Sequence, residues 1–250
     1  MPQQNNIIAI ASGKGGVGKT WLSVTLAHLC ARSGRKVLLF DGDIGLANVD
    51  VQLGLTPKYD LSSVLSGKHR MKDAITRYED GKFDIIAGRS GSTSLATLPP
   101  ERLEILSKAL MDICGSYDIV FVDLGAGIEQ NVQHLASLAA RCVVVATDEP
   151  TSLTDAYAFI KIALQGKHPP EINIVINQAA TQKEGEATFH TLNKACINFL
   201  QMSPTMLGVI RKDNKVKDSI RAQKSLIIRA PHTTAATDAA TIAIKLMQQR

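Results

Sequence analysis

The chain predicts an α/β fold, a doubly wound and mostly parallel sheet of seven or eight strands in a single domain spanning residues 1–250. Three observations lead there. Short continuous apolar runs recur at 7–11, 36–41, 83–87, 118–123, 142–147, 172–177 and 206–210. Between them lie segments of helical period, at 21–32, 100–114, 153–165 and 186–200. A chain of 250 residues that is 45% hydrophobic can also bury one sizeable core. Unbroken apolar runs are strands covered on both faces, and helices between them supply the cover. Right-handed crossovers then bring every strand's C-terminal end to one edge, where ligands bind.

The first run leads at once into Gly13-Lys14-Gly15-Gly16-Val17-Gly18-Lys19-Thr20 and then into the amphipathic stretch 21–32. A strand, a loop of the form G-x-x-x-x-G-K-[ST] and a helix make a phosphate-binding P-loop. Glycines let several backbone N–H groups turn onto phosphate oxygens with no Cβ in the way. Lys19 and the helix N-terminus neutralise the anion, and the Thr20 hydroxyl is placed for a magnesium ion. ATP or ADP with Mg2+ is the expected cofactor, bound by Gly15, Gly16, Val17, Gly18, Lys19, Thr20 and Trp21. Gly13, Gly15 and Gly18 also satisfy G-x-G-x-x-G, and Asp41 closes the next strand where a dinucleotide's ribose would be read. Against that stand the Lys19-Thr20 pair, the crowding Lys14 and a second strand that ends in Asp123.

The second run ends in Asp41-Gly42-Asp43, two carboxylates one residue apart beside the phosphate loop. Asp41 is read as a holder of magnesium through water and Asp43 as the group that orients attacking water; either could instead cap the following helix. Asp123, closing the run 118–123, is a Walker B-type acid for the metal. Gly125-Ala126-Gly127 beyond it can sense a γ-phosphate through backbone N–H, or serve as a plain turn. The strand-end rule also brings 147–150 and Asn177 to this rim. The Gly/Ser-rich stretch 88–97 reads as a surface loop.

The bulk composition narrows the setting. No stretch approaches the roughly 20 apolar residues of a membrane span, and the opening Met-Pro-Gln-Gln-Asn-Asn lacks the form of a secretory signal. A cytoplasmic location is expected. Cys30, Cys114, Cys142 and Cys196 are scattered without C-x-x-C spacing and read as buried reduced thiols. The net charge of +5 is one patch: 211–229 holds seven basic residues against Asp213 and Asp218, while 21 basic and 21 acidic residues elsewhere balance. Such a patch is a solvated helix face or a surface for nucleic acid, acidic lipid or protein.

Lys14-Gly15-Gly16-Val17-Gly18-Lys19-Thr20 resembles the deviant Walker A motif of the MinD/ParA ATPases, with its extra signature lysine. Asp41-Gly42-Asp43-Ile44-Gly45-Leu46-Ala47-Asn48-Val49-Asp50, Asp123-Leu124-Gly125-Ala126-Gly127-Ile128 and Glu149-Pro150-Thr151-Ser152-Leu153-Thr154-Asp155-Ala156-Tyr157 are similar to the flagellar-number regulator branch (FlhG/FleN-like). The likeness runs on through 207–213. It implies a SIMIBI-type P-loop fold and an ATP-driven switch, monomeric with ADP and a face-to-face homodimer around two ATP molecules. Hydrolysis, slow and stimulated by a partner, resets the dimer. By the same resemblance Lys14 reaches the partner copy's phosphates and is catalytic together with Lys19 and Asp43. Asn48 supports the γ-phosphate side, Asn177 reads adenine, Ile210 and Arg211 join the nucleotide-binding residues, and Glu149 and Asp155 face the ribose or the partner's lysine.

The resemblance also implies a protein partner, a flagellar GTPase or regulator. Only six residues precede the first strand, where such regulators commonly carry an activating extension for a signal-recognition-type GTPase; activation of that partner stays open. Membrane-binding relatives end in a bulky basic amphipathic helix. Here 241–250 offers Ile242, Ile244, Leu246 and Met247 with only Lys245 and Arg250, a poorer anchor than a docked last helix, so any inner-membrane contact is weak and dimer-dependent. Leu124 and the Asn177-Gln178 pair depart from the family pattern. The competing function is a ParA-like partition ATPase whose dimer grips DNA or the nucleoid without sequence preference through 211–229. P-loop ligases and iron proteins fit less well, since the chain is too short for an added glutaminase domain and has no paired cluster cysteines.

Overall fold

The computed structural model describes residues 6–88, 98–166 and 168–248. Gly88 apart, the stretch expected as a surface loop at 88–97 lies outside them, as does the end of the last helical segment at 249–250. Eight strands form one sheet: β1 (Ile7–Ser12), β2 (Val37–Gly42), β3 (Ile75–Tyr78), β4 (Phe83–Ile86), β5 (Ile119–Ala126), β6 (Arg141–Ala146), β7 (Glu171–Ala179) and β8 (Thr205–Arg211). Their order is β3-β4-β2-β5-β1-β6-β7-β8. Every pairing is parallel except β3 with β4, an antiparallel edge. Seven of the strands coincide with the apolar runs. β3 is the eighth, a short ribbon whose Ile75 and Thr76 are half-buried and Arg77 exposed, as an edge allows.

Ten helices are described: α1 (Lys19–Arg32), α2 (Val49–Leu53), α3 (Leu61–Leu65), α4 (Pro100–Cys114), α5 (Gln130–Ala136), α6 (Pro150–Ala163), α7 (Gln182–Leu200), α8 (Asn214–Arg221), α9 (Leu226–Arg229) and α10 (Thr234–Gln248). Alternation along β1 divides the core into two layers. Ile7, Ala9 and Ala11 pack with Leu103, Leu106 and Leu110 of α4, Leu135 of α5, Phe159 of α6 and Leu192 of α7. Ile8 and Ile10 face the other way, onto Leu22 and Leu26 of α1 and Ile242 and Leu246 of α10. The period-2 pleat of a central strand thus meets helices on both sides, which is why its sequence is apolar throughout.

Local signals set the helix ends. Pro150 stands in the first turn of α6, where its missing N–H costs no hydrogen bond, and Thr181 caps α7 by accepting from the Glu184 N–H at 3.1 Å. The last helix is docked. Ile242 and Leu246 are fully buried, Lys245 Nζ donates to the Leu207 carbonyl at 2.7 Å, and Arg141 Nη1 donates to the Leu246 carbonyl at 2.8 Å. No helix among the described residues is long and apolar enough to cross a membrane. All four cysteines are buried free thiols; burial raises Cys30 and Cys142 to about 12 and Cys114 to about 11.

One buried contact ties α1 to the distant 211–229 segment. His28 Nδ1 lies 2.8 Å from Ser225 Oγ, and Ser225 in turn caps α9 by accepting from the Ile227 N–H at 3.3 Å. Burial, aided by the Arg32 charge and opposed by Asp80, lowers the His28 pKa to about 4. The native state therefore refuses a proton that the unfolded chain takes up near pH 6.5, so this group's contribution to stability falls as pH drops from about 6.5 towards 4. Urea unfolding of the parent and of His28→Gln across pH 7.5 to 4 checks this: the acid loss should be smaller in the variant, and equal losses would remove His28 from the account.

Candidate nucleotide site

Asp41 and Asp123 sit opposite each other in the register of β2 and β5, both with no exposed surface. Asp123 Oδ1 receives Lys19 Nζ at 3.3 Å and the Ser23 hydroxyl at 2.8 Å, while its Oδ2 has no partner. Asp41 accepts three backbone N–H groups: Oδ1 from Asp43 at 3.2 Å, Oδ2 from Asn48 at 3.0 Å and Val49 at 3.1 Å. Burial first and the Asp123 charge second push its pKa up to about 8 against those hydrogen bonds. Two facing buried carboxylates, one with an orphan oxygen, and Thr20 in the wall of the cavity beside them are the all-oxygen donors that a hard divalent cation takes. Thr20, Asp41 and Asp123 therefore fit Mg2+.

A cavity of about 870 Å³ opens at the C-terminal ends of β1, β2 and β5. Gly15, Gly16, Val17, Gly18, Lys19, Thr20 and Trp21 line it, together with Asp43, Asn48 and the Gly125-Ala126 turn. Gly16 and Gly18 carry φ of +81° and +91°, a left-handed backbone that glycine adopts without strain. Asn177 donates through Nδ2 to the Val17 carbonyl at 2.7 Å, and Gln178 donates through Nε2 to the Gly16 carbonyl at 3.3 Å. In a trans peptide the C=O and the next N–H point opposite ways, so carbonyls drawn outward direct the Val17 and Gly18 N–H groups away from β7. Gly13 is close-packed: an added Cβ would strike the Asp155 carbonyl group.

The other expected residues fall into three groups. Asp43 stands on the cavity wall, its Oδ1 accepting from the Leu46 N–H at 3.2 Å and lying 3.6 Å from a Cβ built on Gly125. On the rim, Lys14 Nζ is held 2.7 Å from Glu149 Oε2 and 3.0 Å from Thr151 Oγ1 of its own chain. Asn177, Ile210 and Arg211 do not line the cavity. Asn177 is buried against the phosphate loop and also accepts the Gln178 N–H at 2.9 Å. Ile210 is core, and Arg211 clamps Asp238 of α10 through Nη2 at 2.7 Å and Nε at 3.0 Å.

Sequence reasoning passed over Ser23, Thr151, Gln178, Arg221 and Gln223. Ser23 follows Lys19 by one helical turn, and its hydroxyl, 3.1 Å from the Lys19 carbonyl, was findable by that spacing. Arg221 and Gln223 line the cavity beside Trp21, Val51 and Gln52, and no local pattern announces them. Their placement also thins the basic patch. Arg211 is paired, Lys215 lies 3.5 Å from Asp218, and Arg221 faces the cavity, leaving Lys212, Lys217, Lys224 and Arg229 without ion pairs among the described residues.

Asn177 acting through the loop predicts a base-independent effect. Asn177→Ala should weaken ATP and inosine triphosphate together, each by roughly tenfold for one buried hydrogen bond. Calorimetric affinities for the two nucleotides check it; a loss confined to ATP would return Asn177 to reading the adenine edge.

The sequence matches the family described as the CobQ/CobB/MinD/ParA nucleotide binding domain over residues 8–226. It is 37% identical over 244 residues to the antiactivator FleN of Pseudomonas aeruginosa, covering 98% of this chain and 85% of that protein. With the flagellum site-determining protein YlxH of Helicobacter pylori it shares 36% identity over 228 residues, 90% of this chain and 76% of that one. Among solved structures, a chain of the MinC:MinD cell division protein complex of Aquifex aeolicus superposes with a TM-score of 0.81 at 26% identity, covering 98% of this chain and 97% of that one. On these matches the chain belongs to the CobQ/CobB/MinD/ParA family of nucleotide-binding ATPases.

Proposed function

We infer that the chain is an ATP-dependent switch that pairs with a second copy over two nucleotides, returns to the monomer on hydrolysis, and so regulates the position or number of flagella. The observation that carries the switch is Lys14: the loop holds it on the cavity rim, outside the phosphate cradle, on a weak exposed ion pair. The flagellar setting is supported by likeness to relatives described as an antiactivator and as a flagellum site-determining protein.

In this reading the loop N–H groups and Lys19 bind the phosphates, and Thr20, Asp41 and Asp123 hold Mg2+, which would draw charge from the outer phosphate oxygens. Lys19 exchanges its contact with Asp123 for phosphate oxygen. Asp43 orients the attacking water, with Asn48 and the Gly125-Ala126-Gly127 turn closing the γ-phosphate side. Lys14 leaves Glu149 and reaches the partner copy's phosphates, adding positive charge where negative charge develops. Turnover is slow until a separate protein partner completes the site. One solved relative is a complex of MinD with MinC, which supports a protein partner as a class. The DNA-binding reading draws only on Lys212, Lys217, Lys224 and Arg229, and any membrane contact is peripheral.

Solution mass decides the cycle: the parent should double in mass with Mg-ATP and not with Mg-ADP, and an unchanged mass with both would overturn the switch. Asp43→Ala should still bind ATP, lose at least about 100-fold in turnover, the lower end for a positioned general base, and accumulate as dimer; a monomer with normal turnover refutes its role. Lys14→Ala should lower ATPase activity by about 100-fold or more at concentrations where the parent dimerises, as expected for loss of a transition-state charge contact. An unaltered rate would count against reach in trans. DNA retained equally with and without ATP would point away from both switch readings, and counting flagella on cells lacking the gene tests the setting.

A further inference from the structure

Arg221 lies in the last turn of α8, is exposed, and is part of the wall of the cavity that the phosphate loop also lines. The cations around this cavity are otherwise engaged: Lys19 with Asp123 at 3.3 Å and Lys14 with Glu149 at 2.7 Å. The Arg221 side chain makes no hydrogen bond or ion pair among the described residues. Its position is nonetheless fixed by the turn that follows. Gln223 takes a left-handed conformation with φ of +52° and donates through Nε2 to the Val51 carbonyl of α2 at 3.1 Å. The Lys224 N–H returns to the Ser219 carbonyl at 3.1 Å, and Ser225 is held by His28. An exposed guanidinium with no partner among the described residues, carried on a pinned helix end in the wall of a cavity that the phosphate loop also lines, is free to take an anionic ligand.

We propose that Arg221 is a nucleotide-binding residue, a second cation acting in cis on the phosphates of the bound nucleotide. The proposal rests on the reading of the cavity as an ATP site and adds a ligand from the segment whose basicity suggested DNA. Arginine suits the place because its planar fork presents two parallel N–H donors in a fixed geometry that matches two phosphate oxygens, whereas lysine acts as a point charge.

The test measures affinity for Mg-ATP below the concentration at which the parent dimerises, by calorimetry and by the fluorescence of Trp21, the chain's sole tryptophan and part of the cavity wall. Arg221→Ala should bind about tenfold more weakly, the size of one charge-assisted contact. Arg221→Lys should recover part of that, and Lys217→Ala, which removes an exposed cation from the same helix, should match the parent. Without nucleotide the Arg221→Ala melting temperature should equal the parent's, while its rise with Mg-ATP should be smaller. Equal affinity in Arg221→Ala and the parent overturns the proposal, as does a loss seen only at dimer-forming concentrations, which would put the residue across the interface. A parent that binds no Mg-ATP would sink the switch reading itself, and the proposal with it.

Discussion

The structure turns on two aspartates buried side by side at the centre of the sheet, one of them paired with a lysine. Placing Asp41 opposite Asp123 in a region with no solvent access carries a cost in desolvation and in like-charge repulsion. The chain limits that cost with donors drawn from three elements: Lys19 and Ser23 from α1, the Asp43 N–H from the strand end, and the Asn48 and Val49 N–H groups at the start of α2. The same contacts fix geometry. α1 is tied to β5 through Asp123, and α2 is tied to β2 through Asp41, so the phosphate loop and the loop carrying Asp43 have their positions set by one charge cluster.

From that cluster the constraint spreads outward. Because Asp41 sets the start of α2, it also sets the Val51 carbonyl that holds Gln223, and Gln223 fixes the end of α8. On the other side His28, about two and a half turns along the phosphate-loop helix, reaches Ser225 in the same segment. The segment 211–229, read from the sequence as one basic surface, is thus two things at once. Its inner edge is cavity wall, bolted to α1 and α2, and its outer edge carries the exposed lysines. A change in the ligation of Asp41 has a continuous mechanical route to that segment through packed helices and two hydrogen bonds.

What was legible in the sequence followed from local physics. Strands buried on both faces must be apolar at every position, so seven of eight announced themselves. β3 did not, because Ile75-Thr76-Arg77-Tyr78 is an edge strand whose identity depends on pairing with β4. The phosphate loop was equally plain, since its glycines are demanded by backbone conformation at Gly16 and Gly18 and by packing at Gly13. Roles that depend on long-range contacts were not readable. Asn177 touches a carbonyl 160 residues away and Gln223 one 172 residues away. Glu149 was placed near the nucleotide or the partner's lysine, and only the fold shows it holding Lys14 of its own chain.

That last contact bears on how easily the switch can be thrown. Lys14 and Glu149 have side chains 40% and 61% exposed, so their attraction is screened by water and salt, and an exposed pair of this kind contributes about 0–1 kcal/mol. Releasing Lys14 is therefore a small cost. Its destination in the proposed dimer is a water-excluded interface beside polyphosphate, where the same charge is worth far more. The free-energy difference between the two placements is then set almost wholly by whether a second copy and its triphosphate are present, and hardly at all by the contact left behind. A strong buried pair at Lys14 would have locked the monomer. The weak exposed one keeps the lysine ordered on the rim without opposing its departure, as a reversible cycle requires.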